Sequence, residues 1–188
     1  MKQLELFDYI LPTSQPYVVT ADDIKYYIMK SFIEDKGFEV AATEVKYCDV
    51  LVTTLKGNPI VEIETKINWY DFLADFDKPK HQKYLSLQGL VPDFFFFGVP
   101  EFLADRCYRY LEDSEYNYYG LLSVSQSGYV HTVKKSKHFP TNLLNREEFL
   151  RYLLKRGTRE LISLYESKLS EGSLEFKSKN EEFGITRI

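Results

Sequence analysis

The chain has 188 residues and a mass of 22.2 kDa, enough for one domain with a proper core. Its 44% hydrophobic and 28% charged residues exclude a disordered chain, a collagen-like chain and a disulfide scaffold. A net charge of -4, from 24 basic and 28 acidic residues, excludes a bulk-basic nucleic-acid coat protein but not a local basic face. Aromatics reach 16%, most of them expected in core and half-buried positions. Cys48 and Cys107 lie far apart without metal-ligand spacing, and read as reduced core residues of an intracellular protein. The first residues lack the basic-then-apolar pattern of a signal peptide, and the most apolar run, Phe94 to Val99, is too short to span a bilayer. The expectation is a cytoplasmic protein without a membrane partner or an organic cofactor.

Residues 1–17 read as an extended arm with Pro12 and Pro16. Thr20 then caps a helix over 21–36, with Asp22 and Asp23 at its positive end and Gly37 at its stop. Strands are expected over 38–47, 49–55 and 59–67, the last two joined by a Lys56-Gly57-Asn58 turn. A helical stretch over 69–87 precedes a strand over 91–99 that is apolar enough for burial on both faces. A helix over 102–111, a hairpin of 121–126 and 129–135 around Ser127-Gly128, and a long helix over 145–169 complete the order, with Gly157 a candidate interruption. Residues 1–170 form one domain in this reading, and 171–188 a polar tail. The predicted class is α/β: a mixed central sheet flanked by helices, with a C-terminal hairpin and long helix.

The chemistry concentrates in residues 60–67. Alternation in a strand sends Glu62, Glu64 and Lys66 to one face, and Val61, Ile63, Thr65 and Ile67 to the other. Asp49 begins the preceding strand and meets this group if the two strands pair. Hard divalent cations take oxygen ligands, usually a few carboxylates plus water, and Asp49 and Glu64 supply them. Such an ion acidifies bound water and neutralises phosphodiester charge, while a nearby lysine orients the attacking water or stabilises the pentavalent phosphorus. By itself a Glu-x-Glu-x-Lys strand is commonly a solvated face with cross-strand salt bridges. The order helix, strand, Asp-strand, turn, Glu-x-Lys strand, helix makes the pattern specific.

Asp49, followed after fourteen residues by Glu64-Thr65-Lys66, resembles the D…E-x-K signature of the PD-(D/E)XK nuclease superfamily. The α-β-β-β-α-β order resembles that superfamily's restriction-endonuclease-like core. Cys48 stands where the eponymous motif has proline. Within the superfamily, CDVLVTTLKG, IVEIETKINWYDFLADFDKP and PDFFFFGVP are similar to segments of the MmcB-like DNA-repair family, over roughly residues 22–100. The resemblance implies a Mg2+- or Mn2+-dependent DNA nuclease, an endonuclease or repair enzyme. It places metal binding on Asp49, Glu64 and the Thr65 carbonyl, and makes Lys66 the catalytic lysine. Glu44 and Glu62 are further metal-ligand candidates, each also readable as an ordinary strand glutamate. A homodimer is compatible, since cutting both strands often takes two sites. The alternative is a catalytically inactive nucleic-acid-binding module on the same fold.

Lys80 and Tyr84 share a helix face and, with Lys83, are candidate phosphate contacts; Asp71 and Asp75 share another face, near the metal or simply at the helix N-terminus. Gln82 has Ser86 four residues on, not tyrosine, which argues against a RecB-like exonuclease. His81, His131 and His138 have no zinc-ligand spacing and read as surface or satisfied histidines. Residues 131–159 carry eight basic side chains against Glu147 and Glu148, and there Lys134, Lys135 and Lys137 are candidate nucleic-acid contacts. A solvated helix face is the other reading of that stretch.

Overall fold

A computed structural model describes residues 19–139 and 143–170 of the protein. The expected N-terminal arm and polar tail lie outside the described residues. Eleven elements follow in chain order: α1 (Ala21–Glu34), β1 (Val40–Val45), β2 (Cys48–Thr53), β3 (Val61–Thr65), α2 (Trp69–Asp75), α3 (Pro79–Leu85), β4 (Phe94–Pro100), α4 (Glu101–Asp113), β5 (Gly120–Val124), β6 (Val130–Lys134) and α5 (Leu143–Ser170). The six strands lie in sequence order in one sheet. β1, β2 and β3 run antiparallel; β3, β4 and β5 run parallel; β6 returns antiparallel to β5. Parallel neighbours need crossovers, which α2–α3 and α4 provide.

Side-chain alternation sorts the sheet's two faces. Val50, Val52, Val61 and Ile63 meet Ile24, Ile28 and Phe32 of α1. On the other face Phe95, Phe97, Val99 and Leu121 meet Phe72 and Phe76, and Leu103, Cys107 and Leu111 of α4. A third cluster seats Phe149 and Leu153 of α5 on Ala42, Val45, Cys48 and Leu51. α1 begins as expected: the Thr20 hydroxyl accepts the Asp23 N–H, and the Asp23 carboxylate accepts the Thr20 N–H, closing a capping box.

Two helical expectations are corrected. The stretch over 69–87 is two helices, because Pro79 opens the second and holds Lys78 extended at φ -69° and ψ 134°. That break aims Lys78 and Lys80 at the sheet. Gly157 leaves α5 continuous; a lone glycine costs a helix only about 1 kcal/mol.

Gly120 permits a close crossing of β5 and β4. A Cβ there would lie 2.2 Å from Phe96 Cδ1 and 2.8 Å from the Ser136 backbone nitrogen. Gly120→Ala is therefore expected to destabilise the fold by about 1–3 kcal/mol, the usual cost of overpacking, read as a lower urea midpoint at unchanged slope.

Candidate functional site

β3 carries two fully buried glutamates into the face covered by α2 and α3. Glu62 and Glu64 are 0% and 2% exposed, so this strand is no solvated salt-bridge face. Burying carboxylates is tolerable only with partners. Tyr84 donates its hydroxyl to Glu62 Oε2 at 2.7 Å, and Lys80 reaches Glu62 Oε1 at 3.0 Å. Lys80 also binds Glu64 Oε1, while Lys66 and Lys78 lie 3.3 and 3.2 Å from Glu64 Oε2. Asp75, at the end of α2, closes the cluster. Its Oδ1 lies 2.9 Å from Lys66 and pairs with Lys78, and its Oδ2 lies 2.8 Å from His81 Nε2. Three carboxylates thus face three ammonium groups.

Burial raises the Glu64 pKa against the pull of Lys80, and the carboxylates of Asp75, Glu62 and Asp49 push the same way as burial. Burial also works against the Asp75 carboxylate, but hydrogen bonds from His81 and Lys78, with the charges of Lys80 and Lys66, hold it well below the usual range. Desolvation opposes the Lys66 ammonium, yet Asp75 and Glu64 keep its pKa above that of a free lysine. As Asp75 is ionised, His81 Nε2 carries the proton that bonds it. In the neutral ring Nδ1 then accepts from the Tyr119 hydroxyl, 2.9 Å away. Burial raises the Tyr119 pKa, which suits a phenol that stays protonated and donates.

Asp49 lies beside this cluster. Val50 pairs with Ile63, and continuing that antiparallel register sets Asp49 opposite Glu64. Asp49 Oδ2 accepts the Thr65 N–H at 2.7 Å and the Thr65 hydroxyl at 2.8 Å. Asp49, Glu64, Thr65 and Lys66 therefore gather at one end of β2 and β3. Glu44 does not join them. A left-handed backbone at φ 53° sends its side chain to Lys25 on α1. Glu62 has both oxygens bonded within the protein and positions Lys80 rather than opening towards a ligand.

The predicted nucleic-acid contacts divide into two groups. Lys80 and Tyr84 are internal, tied to Glu62 and Glu64, and Lys83 is exposed beside them. Lys134, Lys135 and Lys137 sit at the far edge, three strands or roughly 14 Å from β3 by ordinary strand spacing. Lys134 is largely buried, 3.1 Å from Glu112 and donating to the Asn117 carbonyl. Lys137 donates to Asn117 Oδ1 and stands over the Tyr118 ring. Lys135 is exposed. Asp71 stays on the surface, its N–H bonded to the Asn68 cap, so only Asp75 of that pair turns inward. Sequence reading missed Tyr119, which bears on His81 from the bend just before β5, and the inward turn of Lys78.

The donor set suits a hard divalent cation. Asp49 and Glu64 offer carboxylate oxygens from adjacent strands, and Lys78, half exposed, has a way out of the position beside Glu64. Among the described residues no group of three or more His, Cys, Asp or Glu side chains is arranged to hold a metal. Two carboxylates and the Thr65 carbonyl would therefore be the protein's whole contribution, with water completing the shell, a common arrangement for Mg2+.

No helix among the described residues is long and apolar enough to cross a membrane. The molecule is an α/β protein with a six-stranded mixed sheet flanked by helices. No protein-family model and no curated protein matches the chain. It is similar in structure to the SPO1766 protein of unknown function from Silicibacter pomeroyi, with a TM-score of 0.58 and 20% identity over 91% of this chain and 100% of that one. At that identity the likeness shows a shared fold.

Proposed function

We propose that the protein is a divalent-metal-dependent DNA nuclease with a restriction-endonuclease-like core, hydrolysing phosphodiester bonds at the end of β2 and β3. The observation that carries this reading is the convergence of Asp49, Glu64 and Lys66, two carboxylates from paired strands and a lysine two residues beyond the second. Asp49 and Glu64 would hold Mg2+ or Mn2+ with the Thr65 carbonyl. When bound, such an ion lowers the pKa of water and neutralises charge on the phosphate. Asp49 is kept in place by its two bonds to Thr65. Lys66, kept protonated by Asp75 and Glu64, acts as a cationic hydrogen-bond donor to the phosphate and not as the base that takes the water's proton. Asp75, itself oriented by His81 and Tyr119, fixes the direction of that ammonium.

Asp49→Asn tests this directly, since it retains a side-chain acceptor for Thr65 but removes the charge. The Mg2+ concentration for half-maximal cleavage is expected to rise at least about ten- to a hundredfold, on the scale of losing a partner around a bound metal. An unchanged metal dependence, on single- and double-stranded substrates alike, would remove the assignment. One observation favours the alternative, a catalytically inactive nucleic-acid-binding module: both oxygens of Glu64 are already engaged by lysines. Wild-type protein that binds DNA yet gives no Mg2+- or Mn2+-dependent product would establish it.

A further inference from the structure

A cleft of about 700 Å3 opens beside the buried cluster, between α3, the β1–β2 turn and α5. Its size lies within the range of sites that enclose small organic ligands. Four lysines line it, Lys46, Lys78, Lys80 and Lys83, against the single carboxylate of Glu62. Three tyrosines, Tyr47, Tyr84 and Tyr152, line it too. Such a wall suits an anion attached to a flat, apolar body.

The cations are not equivalent. Lys78 and Lys80 are committed to the buried carboxylates, and Lys46 lies 3.5 Å from Glu148 and 4.4 Å from the Tyr152 ring centroid. Lys83 is exposed and makes no ion pair among the described residues. Tyr47 is also out of place for a purely structural residue. The residue is 69% exposed at the rim, with Lys46 Nζ 5.1 Å from its ring centroid, while its carbonyl accepts from Lys80 at 3.3 Å. Lys80 in turn binds Glu64. One side chain thus links the rim of the cleft to the carboxylate of the proposed catalytic site.

We propose that this cleft binds an unpaired nucleotide of a nucleic-acid strand, its base on Tyr47 and its phosphate drawn by Lys83, so that the site beside it receives single-stranded substrate. This rests on the nuclease reading for what happens next to the cleft, but not for the binding itself. An aromatic rim can stack only a base whose face is free, and pairing and stacking in a duplex hide both faces. A duplex would need a cationic track along its backbone, whereas the exposed cation and the exposed ring here stand at one small opening.

The test is fluorescence anisotropy in EDTA with a labelled oligothymidylate of about fifteen nucleotides, a duplex of equal length, and dTMP as competitor. The wild-type protein is expected to bind the single strand at least about tenfold more tightly than the duplex, with dTMP competing far more weakly than unlabelled strand. Tyr47→Ala combined with Lys83→Ala is expected to weaken single-strand binding about five- to a hundredfold, the value of a lost stacking platform, with an unchanged melting temperature. Both residues are exposed, so the variant tests the surface and not the fold. A double variant that binds like wild type, a duplex bound as tightly as the strand, or dTMP competing as well as the strand overturns the proposal. EDTA separates it from the chemistry: cleavage without this binding sinks the cleft assignment alone, and binding without any metal-dependent cleavage sinks the nuclease reading alone.

Discussion

Single-turnover cleavage by Lys66→Met is expected to fall by about two to four orders of magnitude while Mn2+ binding persists. Methionine retains much of the lysine stem's volume and removes the ammonium. The lost group lies 2.9 Å from Asp75 and 3.3 Å from Glu64, so its removal also relieves Glu64 of one competing cation. Metal binding, followed by calorimetric titration with Mn2+, should therefore hold steady or tighten. Cleavage should drop because the donor that stabilises the phosphate in the transition state is gone. A pH profile sharpens the test. Desolvation is outweighed by Asp75 and Glu64, which keep Lys66 charged above the ordinary lysine range. Wild-type activity should then show no ionisation of this group near neutrality. Full cleavage by Lys66→Met with intact Mn2+ binding would reduce Lys66 to a salt-bridged structural residue.

Asp75→Asn is expected to destabilise the protein by about 3–5 kcal/mol, the range for removing one partner from a buried ionic cluster. The side chain is 1% exposed and faces Lys66, Lys78 and His81. Lys78 is half exposed and can turn to water, whereas Lys66 cannot. Most of the cost is therefore at the buried Lys66 ammonium, which loses its nearer carboxylate and keeps only Glu64 at 3.3 Å. The same residue sets a pH dependence. Its pKa in the folded protein lies below the ordinary 3.8, despite burial, because His81, Lys78, Lys80 and Lys66 stabilise the anion. The stability it contributes is present in full above that ordinary value and is lost as pH falls below it towards the folded-state value. Urea midpoints measured from pH about 5 to 3 should decline more steeply for wild type than for Asp75→Asn, because the variant has no such carboxylate to titrate. Parallel declines, or a loss below about 1 kcal/mol, would show that the cluster does not hold this corner of the fold.

Much of the architecture was legible along the chain because it depends on local periodicity. The cap at Thr20 declares a helix start, and the alternation through Val61–Thr65 and the apolar run of Phe94–Pro100 each declare a strand and the face it buries. The split between α2 and α3 was legible in principle, since Pro79 cannot continue a helix, but the regular apolar spacing on either side masked it. Charge type was legible as well: Asp49, Glu64 and Lys66 stand out once residue identity and spacing are read together with the order of the elements that carry them.

What a side chain's charge meets is a different matter, because its partner comes from whatever the sheet brings alongside. Lys80 and Lys134 looked like solvent-facing cations, yet Lys80 pairs with Glu62 and Glu64 across 18 and 16 residues, and Lys134 packs beside Glu112. His81 lacked any zinc-like spacing, and its real partners, Asp75 and Tyr119, come from another helix and the bend before β5. By itself the sequence determined most of the elements, the apolar faces they bury and the acidic strand with its lysine, since these follow from backbone periodicity and residue chemistry. Only the tertiary structure decided that Glu62 and Glu64 are buried, that three lysines neutralise that cluster, and that Glu44 turns away to Lys25, because burial and pairing depend on which distant segments, the β3–β4 crossover on one face and α1 on the other, fold over the sheet.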